Sequence, residues 1–474
     1  MLTELAETHS AVVLLMGDRA YKIKKHVDLG FLDFRDEQVR RDVCRREVEL
    51  NRRVAPDVYL DTLRIVGADG RTYEDGVVMR RMPDDLRLST MIARGLDVEP
   101  HLHAIAELMA RFHATADRSP QIAAEGTRSG LRRRWVDNLS ETEKYRGQLL
   151  SEGIHARISA LALAYVDGRE ALLAERAEQG LVVDGHGDLL AEDVFCLPDY
   201  PRVLDCIEFD DKLRWLDVLD DVAFLAMDLE YLDRADLAEY FLASYLQLSA
   251  TPQVATLRHH YIAYRAFVRA KIMCIQAAQG RSAAVVEADR YARLALRHLE
   301  AGEVLLILVG GAPGTGKTTV ARELALRLGA AVLSSDDVRR NVPVSPGERY
   351  SALGKQATYH AMLNEADTLL RHGQTVVLDA TWGDQDMRAL AAQTGEATMS
   401  RVVGLECTVE VDVAAARAER RLADGTGSSE AGAAIARSLA ATRAPWPDAT
   451  VIDTSGNVVE SVARAIDAVD ASGY

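Results

Sequence analysis

The segment Gly311–Thr318 reads GAPGTGKT and stands between a dense apolar run, Val304 to Val309, and a stretch with helical spacing, Lys317 to Leu328. A glycine-rich turn joining a buried parallel strand to a helix points its backbone N–H groups inward. The helix N-terminus adds positive charge to the same hollow, so the segment is suited to hold phosphates. On this reading Gly311, Ala312, Pro313, Gly314, Thr315 and Gly316 form the cradle and Lys317 sets a point charge beside the terminal phosphates. Thr318 offers a hydroxyl to Mg²⁺, and Thr319 closes the nucleotide-binding stretch. ATP with Mg²⁺ is the expected ligand.

Beyond that turn, Ala331 to Leu333 and Thr375 to Leu378 read as strands, with Ala352 to Arg371 as a helix between them. Such alternation implies an α/β P-loop NTPase domain with a parallel sheet, whose ligands bind outside the carboxyl ends of the strands. The first strand ends in SSDDVRR, placing Asp336 and Arg339 one helical turn apart at that edge; the second ends in Asp379. A carboxylate at Asp336 suits an acceptor hydroxyl, and one at Asp379 suits the metal beside ATP. Asp336 has a second reading as a helix N-cap. Arg417, Arg420, Arg421 and Arg443 surround Asp424 to Ser429 as in a lid, and Arg417 and Arg421 share a helix face. These neighbours favour phosphoryl transfer over a motor or a switch. From about Glu303 onward, GAPGTGKT, SSDDVRR, VVLDATW and the arginine-rich helix resemble the small P-loop kinases related to gluconate kinase, polynucleotide kinase and zeta-type toxins. The resemblance implies an acceptor hydroxyl held near Asp336 and Arg339.

A chain of 474 residues exceeds what one core usually serves. Tyr261 to Leu299 reads as helix and then gives way to the apolar strand, which sets a boundary near Ala301 and domains of 1–300 and 301–474. The first part opens with strands Ala11 to Met16, Arg19 to Lys24 and Val77 to Arg81, the first two joined at Gly17 and Asp18. Helical spacing covers Arg35 to Arg53, Leu102 to Ala114 and most of Leu131 to Gly180. A small sheet followed by helices predicts an α+β domain of two lobes.

Five strings follow in order: AYKIKK (20–25), RREVELNRRVAPDVYL (45–60), HGDLLAED (186–193), LDCIEF (204–209) and DVLDDVAF (217–224). Together they resemble the aminoglycoside phosphotransferase branch of the protein-kinase-like fold over most of residues 1 to 300. DLGFLDF (28–34) fits a family of such domains often fused to a P-loop kinase. The resemblance implies that Asp188 is the catalytic base, that Glu47 pairs with the strand lysine, and that Arg80 to Met82 form the adenine hinge. Either Lys22 or Lys24 can be that lysine, since residues two apart on a strand face one way. Where the pattern has a metal-binding Asn the chain has Asp193. Its usual metal-binding Asp falls on Glu208, with Asp205 three residues earlier, and either carboxylate suits Mg²⁺. His186 reads as a structural hydrogen-bonding residue.

The net charge of −16 argues against nucleic acid as a general partner, although arginine clusters such as Arg132 to Arg134 leave a local basic patch open. Ordinary composition, with 48% hydrophobic and 27% charged residues, no apolar run of membrane length and no basic leader predict a soluble cytoplasmic protein without a membrane partner. The five cysteines show no CxxC pair, so reduced, packed thiols are expected. The expectation is a kinase with two MgATP modules that phosphorylates a hydroxyl of a small molecule. The alternative is an ATP-binding regulatory or toxin-like protein with a degenerate N-terminal kinase domain, acting on a nucleic-acid end or nucleotide sugar.

Overall fold

The computed structural model describes residues 3–7, 11–27, 33–66, 72–343, 349, 351–423 and 432–471. Asp28 to Leu32 of the DLGFLDF string and the expected lid segment Asp424 to Ser429 lie outside these residues. The chain forms two compact units. The first contains Met1–His155, Ala174–Gln253 and Tyr261–Arg297, and the second contains Ala156–Leu173, Val254–His260 and His298–Tyr474.

The first unit begins with strands β1 (Thr3–Glu7), β2 (Ala11–Met16), β3 (Arg19–Lys24), β4 (Tyr59–Val66) and β5 (Thr72–Arg80), in the antiparallel order β1-β2-β3-β5-β4. β3 alternates strictly, burying Ala20, Lys22 and Lys24 on one face. The helix Glu37–Asn51 starts where the Asp36 carboxylate accepts the N–H groups of Gln38 and Val39 at 2.7 and 3.1 Å, satisfying two orphan donors. It buries Arg40, Cys44, Glu47, Val48 and Asn51, the stripe that helical periodicity requires. Cys44 and Val48 pack with Val58 just before β4, with Tyr59 and Val77 of the sheet and with Phe195 and Leu204, closing a core between sheet and helical lobe.

The helical lobe carries two small antiparallel pairs, β6 (Val182–Asp184) with β9 (Trp215–Asp217) and β7 (Val194–Cys196) with β8 (Pro201–Val203). These hairpin-sized pairs deliver HGDLLAED and LDCIEF to one region. The unit is a two-lobed α+β structure. Residues 261–299, read as one helix, divide into Ala255–Ala278 and Ala283–Ala301, with Gly280 at φ 101° between them. A left-handed backbone angle ends a helix, and glycine takes it without steric cost.

The second unit is an α/β domain. Its strands β10 (Leu305–Gly310), β11 (Ala331–Ser334), β12 (Val376–Asp379), β13 (Arg401–Thr408) and β14 (Thr450–Asp453) form a wholly parallel sheet in the order β11-β12-β10-β13-β14. Every residue of β10 and β12 is buried, as central parallel strands covered on both faces demand. The helix Lys317–Leu328 follows β10 and packs Val320, Ala321 and Leu324 onto the sheet.

Residues 156–173 enter this unit through Arg169, which is fully buried. Its guanidinium donates to the carbonyls of Leu370 and Thr398, to Met399 O at 3.3 Å and to Ser400 Oγ at 3.1 Å. Burial holds its pKa down at about 10. All five cysteines are free and buried. Among the described residues no helix is long and apolar enough to cross a membrane.

Candidate active sites

In the first unit the alternation of β3 turns both Lys22 and Lys24 toward Glu47, which is 0% exposed. Lys22 Nζ lies 2.9 Å from Glu47 Oε1 and Lys24 Nζ 2.6 Å from Oε2, so one carboxylate neutralises two buried ammonium groups. Each lysine has a second partner: Lys22 contacts Asp205, and Lys24 lies 2.6 Å from Glu208 Oε1. Burial pushes the Lys22 pKa down, but Asp205 and Glu47 outweigh it and hold the ammonium well above its usual value. Burial would raise Glu47 and Asp205; their lysines hold both carboxyls down instead. Glu208 goes the other way, burial raising it despite Lys24.

Asp205 takes φ 65°, an angle that Asp tolerates better than most residues, and its N–H donates to Tyr59 Oη at 3.1 Å. It shares an electrostatic neighbourhood with Asp188 and Asp193. Burial lifts Asp188 to about 7, opposed by Arg269 and reinforced by Asp205. Burial and then Asp205 lift Asp193 well above its ordinary value. Lys22, Asp205, Asp188 and Asp193 thus form one group, while Lys24 and Glu208 pair on its other flank.

The loop bearing Asp188 is fixed from behind. Asp221 accepts the N–H groups of His186 and Gly187 at 2.7 and 2.9 Å, and its Oδ2 meets His113 Nε2 at 2.9 Å. Asp220 accepts from Arg265 Nε at 2.7 Å, and Arg265 Nη1 donates to Gly187 O at 3.1 Å. A Cβ at Gly185 would sit 2.5 Å from Asp221 Oδ2, so only glycine fits there. His186 is buried and held down at about 4 by burial, so its ring is neutral near pH 7 and serves as scaffold. Asp220 and Asp221 fall in the DVLDDVAF string, but their bracing of this loop together with His113 and Arg265 has no local sequence signal, because each partner lies tens of residues away. Arg80 and Arg81 of the expected hinge donate their N–H groups to Val58 O and Asp18 O at 2.9 Å, and Met82 packs against the interlobe core.

In the second unit Gly311, Gly314 and Gly316 take φ 145°, 87° and 82°, which turns the chain around a hollow at the end of β10. Gly311 N–H donates to Thr381 O at 3.2 Å, Thr315 Oγ1 to Ala312 O at 2.9 Å, and Thr454 Oγ1 to Thr315 O at 2.6 Å. Ala312, Pro313 and Thr319 fall on the same loop and first helical turn. Lys317 is 8% and Asp379 3% exposed. Burial raises the Asp379 carboxyl, while Lys317 and a hydrogen bond from Thr318 counter it. Asp379 Oδ1 is buried without a hydrogen-bond partner among the described residues.

Asp336 pairs with Arg339 Nη1 at 2.7 Å, and the N-cap belongs to Ser334, whose Oγ accepts the Asp336 N–H at 3.3 Å. The capping alternative for Asp336 is therefore taken by its neighbour. Arg417 donates from both Nη atoms to Thr454 O at 3.2 Å, tying its helix to the residue that braces the P-loop. Arg421 keeps Nε and Nη2 buried without an acceptor among the described residues.

Among the described residues no group of three His, Cys, Asp or Glu side chains is arranged to hold a metal ion. The oxygen chemistry present is of the kind a hard cation takes: in the second unit an orphaned buried oxygen of Asp379 stands beside the Thr318 hydroxyl, and in the first unit Asp193 lies in the repulsive fields of Asp205 and Asp188.

Trp382 and Trp446 complete the second site. Trp382 is fully buried at φ 49°, with Nε1 donating to Leu378 O at 3.2 Å. Trp446 lies on backbone, since a Cβ at Gly404 would come 2.7 Å from its Cζ2. Gly404→Ala is accordingly expected to cost about 1–3 kcal/mol through overpacking. A thermal melt showing no loss would mean that the indole moves aside freely.

A family model described as an AAA domain matches residues 306–445. Solved structures similar to parts of the chain include a choline/ethanolamine kinase family protein from Mesorhizobium loti, 17% identical, covering 64% of this chain and 92% of that one, TM-score 0.40. A gluconokinase from Sinorhizobium meliloti is 13% identical over 35% of this chain and 91% of its own, TM-score 0.27. The APS kinase of Mycobacterium tuberculosis is 18% identical over 35% and 98%, TM-score 0.29. The class defined by fold and sequence is a two-lobed α+β unit joined to a parallel α/β unit with a P-loop, residues 306–445 of which match the AAA-domain model. Within it, the chain belongs to the family of uncharacterized proteins of Mycobacterium tuberculosis and Mycobacterium bovis to which it is 45% identical over 472 residues, covering 98% of this chain and 94% of theirs.

Proposed function

We propose that the protein is an ATP-dependent phosphotransferase with two MgATP-binding modules, residues 1 to about 300 and 301 to 474, which transfers the γ-phosphate to a hydroxyl of a small molecule. The observation that carries the reading is a trio at the P-loop: buried Lys317, the Thr318 hydroxyl on Asp379, and the unpartnered oxygen of buried Asp379 beside them. Thr318 and Asp379 would hold Mg²⁺, which when bound neutralises charge on the phosphates.

In the proposed reaction Asp336, oriented by Arg339, accepts the proton of the acceptor hydroxyl. That oxygen bonds to the γ-phosphorus as the bond to the bridging oxygen breaks, leaving ADP with the electron pair. Lys317, Arg417 and Arg421 balance the charge that spreads over the transferring group. In the first unit Lys22 takes the role of the phosphate-binding lysine and Glu47 positions it. Asp193 and Asp205 would hold the metal, and Asp188 acts as base. Lys24 and Glu208 form a supporting pair one step removed.

Asp336→Asn is expected to leave ATP affinity within about two-fold while lowering transfer by about 10²–10⁴-fold, the usual worth of a positioned base. The measurement is transfer from labelled ATP over a panel of sugars, sugar acids, aminoglycosides, nucleosides and RNA ends, with ATP affinity from calorimetry. Loss of ATP binding in this variant would make Asp336 a structural or metal-holding residue. Hydrolysis without transfer to any acceptor would favour a regulatory protein.

A further inference from the structure

Arg388 and Arg443 meet at the carboxyl edge of the second sheet, and the proposed chemistry uses neither. A Cβ on Gly310, the residue before the P-loop, would sit 3.3 Å from Arg443 Nη2 and 2.6 Å from Trp446 Cζ3. A Cβ on Gly383 would sit 3.3 Å from Arg443 Cγ. Arg443 therefore runs along backbone from the end of β12 to the mouth of the phosphate loop. Arg388 lies with its guanidinium 5.4 Å from the Trp446 ring centroid and donates from Nη2 to Pro445 O at 2.9 Å.

The charge of this pair is not balanced. Glu406, 3.1 Å from Arg443 Nη2, is the one carboxylate ion-paired with either arginine among the described residues. Arg443 Nε and Arg388 Nη1 are buried and have no hydrogen-bond acceptor among the described residues. Burial depresses the Arg443 pKa, and Arg388 adds to the depression against Glu406, as expected where two cations crowd around one anion. The cluster also shares its surroundings with the proposed acceptor pair, since Tyr359 stands in the fields of both Arg443 and Arg339.

We infer that Arg388 and Arg443 form an oxyanion subsite, so that the acceptor of the P-loop module is a small alcohol bearing a carboxylate or phosphate. Its hydroxyl faces Asp336, its anionic group rests on the two unsatisfied N–H donors, and Trp446 walls the subsite. A neutral sugar would leave those donors unpaired, a loss that strongly disfavours it. The inference rests on the phosphotransferase reading and adds the acceptor's charge to it.

The test is calorimetry on the full chain saturated with Mg²⁺ and AMP-PNP, titrated with inorganic phosphate, glycerate and glycerol. At least one anion is expected to bind and glycerol is not. Binding of phosphate alone assigns a phosphate-bearing acceptor; binding of glycerate alone assigns a carboxylate. Arg388→Gln and Arg443→Lys should each weaken the anion by about ten-fold or more while AMP-PNP affinity stays within about two-fold. Arg388→Gln serves alone if Arg443→Lys lowers the melting temperature too far to be studied. Absence of anion binding, equal binding of glycerol, indifference to the substitutions, or loss of AMP-PNP affinity in them would each overturn the subsite. Failure of the unsubstituted chain to bind AMP-PNP would instead sink the phosphotransferase reading, and the same titrations on Lys317→Ala without nucleotide would still decide the subsite.

Discussion

Lys317→Ala is expected to weaken ATP at the P-loop by about 10²–10³-fold, the effect of removing one partner of a buried, hydrogen-bonded charge pair. Two losses combine. The ammonium proposed to meet the terminal phosphates disappears, and so does the main electrostatic counterweight to burial at Asp379. With its pKa raised further, the Asp379 carboxyl keeps its proton to higher pH. The weakening should therefore ease as pH rises. Equilibrium dialysis with excess Mg²⁺ gives a second reading: bound ATP should fall from two to one per chain, the remaining molecule sitting in the first unit. Unsubstituted protein that binds one ATP, lost with Lys317, would leave the first unit without a nucleotide site and end the two-module proposal. The full chain is the right material, because a fragment starting near Ala301 would lack Arg169 and the carbonyl contacts it makes at Leu370 and Thr398.

Features set by local chemistry were legible in the sequence. The helices Lys317–Leu328 and Ala352–Arg371 have the bounds that spacing and capping dictate, and the fully apolar β10 and β12 mark the centre of a parallel sheet. The P-loop belongs to this set, since its glycine angles, lysine and threonine act within one short segment. β4 is different: its burial falls away after Tyr59, so period-2 alternation is weak, and the strand is defined by pairing with β5. The membership of residues 156–173 is likewise hidden, because it depends on Arg169 reaching carbonyls more than two hundred residues along the chain. In the first site the motifs mark Asp188, Asp193 and Glu208. They do not reveal that Asp205 turns toward Lys22 while Glu208 pairs with Lys24; backbone geometry at φ 65° decides that. Arg388 and Arg443 come together only when the chain after β12 meets the chain before β14.

Glu47→Ala is expected to destabilise the first unit by about 3 kcal/mol. Breaking a buried ion pair by removing one partner costs about 3–5 kcal/mol, because the remaining charge stays desolvated. Here two ammonium groups lose a shared partner, but Lys22 retains Asp205 and Lys24 retains Glu208, which places the effect at the lower end. Glu47→Gln keeps the shape and removes only the charge, so it isolates electrostatics from the cavity. The pH dependence has a definite sign. The folded carboxyl lies below its unfolded value because the lysines outweigh burial. Its stabilisation is therefore full above the unfolded pKa and is lost as pH falls through the folded one. Glu47→Gln should flatten that acid-side decline, and urea unfolding at a series of pH values measures both the loss near neutrality and the flattening. If Glu47 also positions Lys22 for phosphate, Glu47→Gln will weaken nucleotide in the first unit and leave the P-loop site unchanged, since the two constellations share no residue. An unaltered unfolding midpoint in both variants would show that Asp205 and Glu208 suffice to neutralise the lysines, and Glu47 would then have no electrostatic part in holding the two lobes' active-site residues in place.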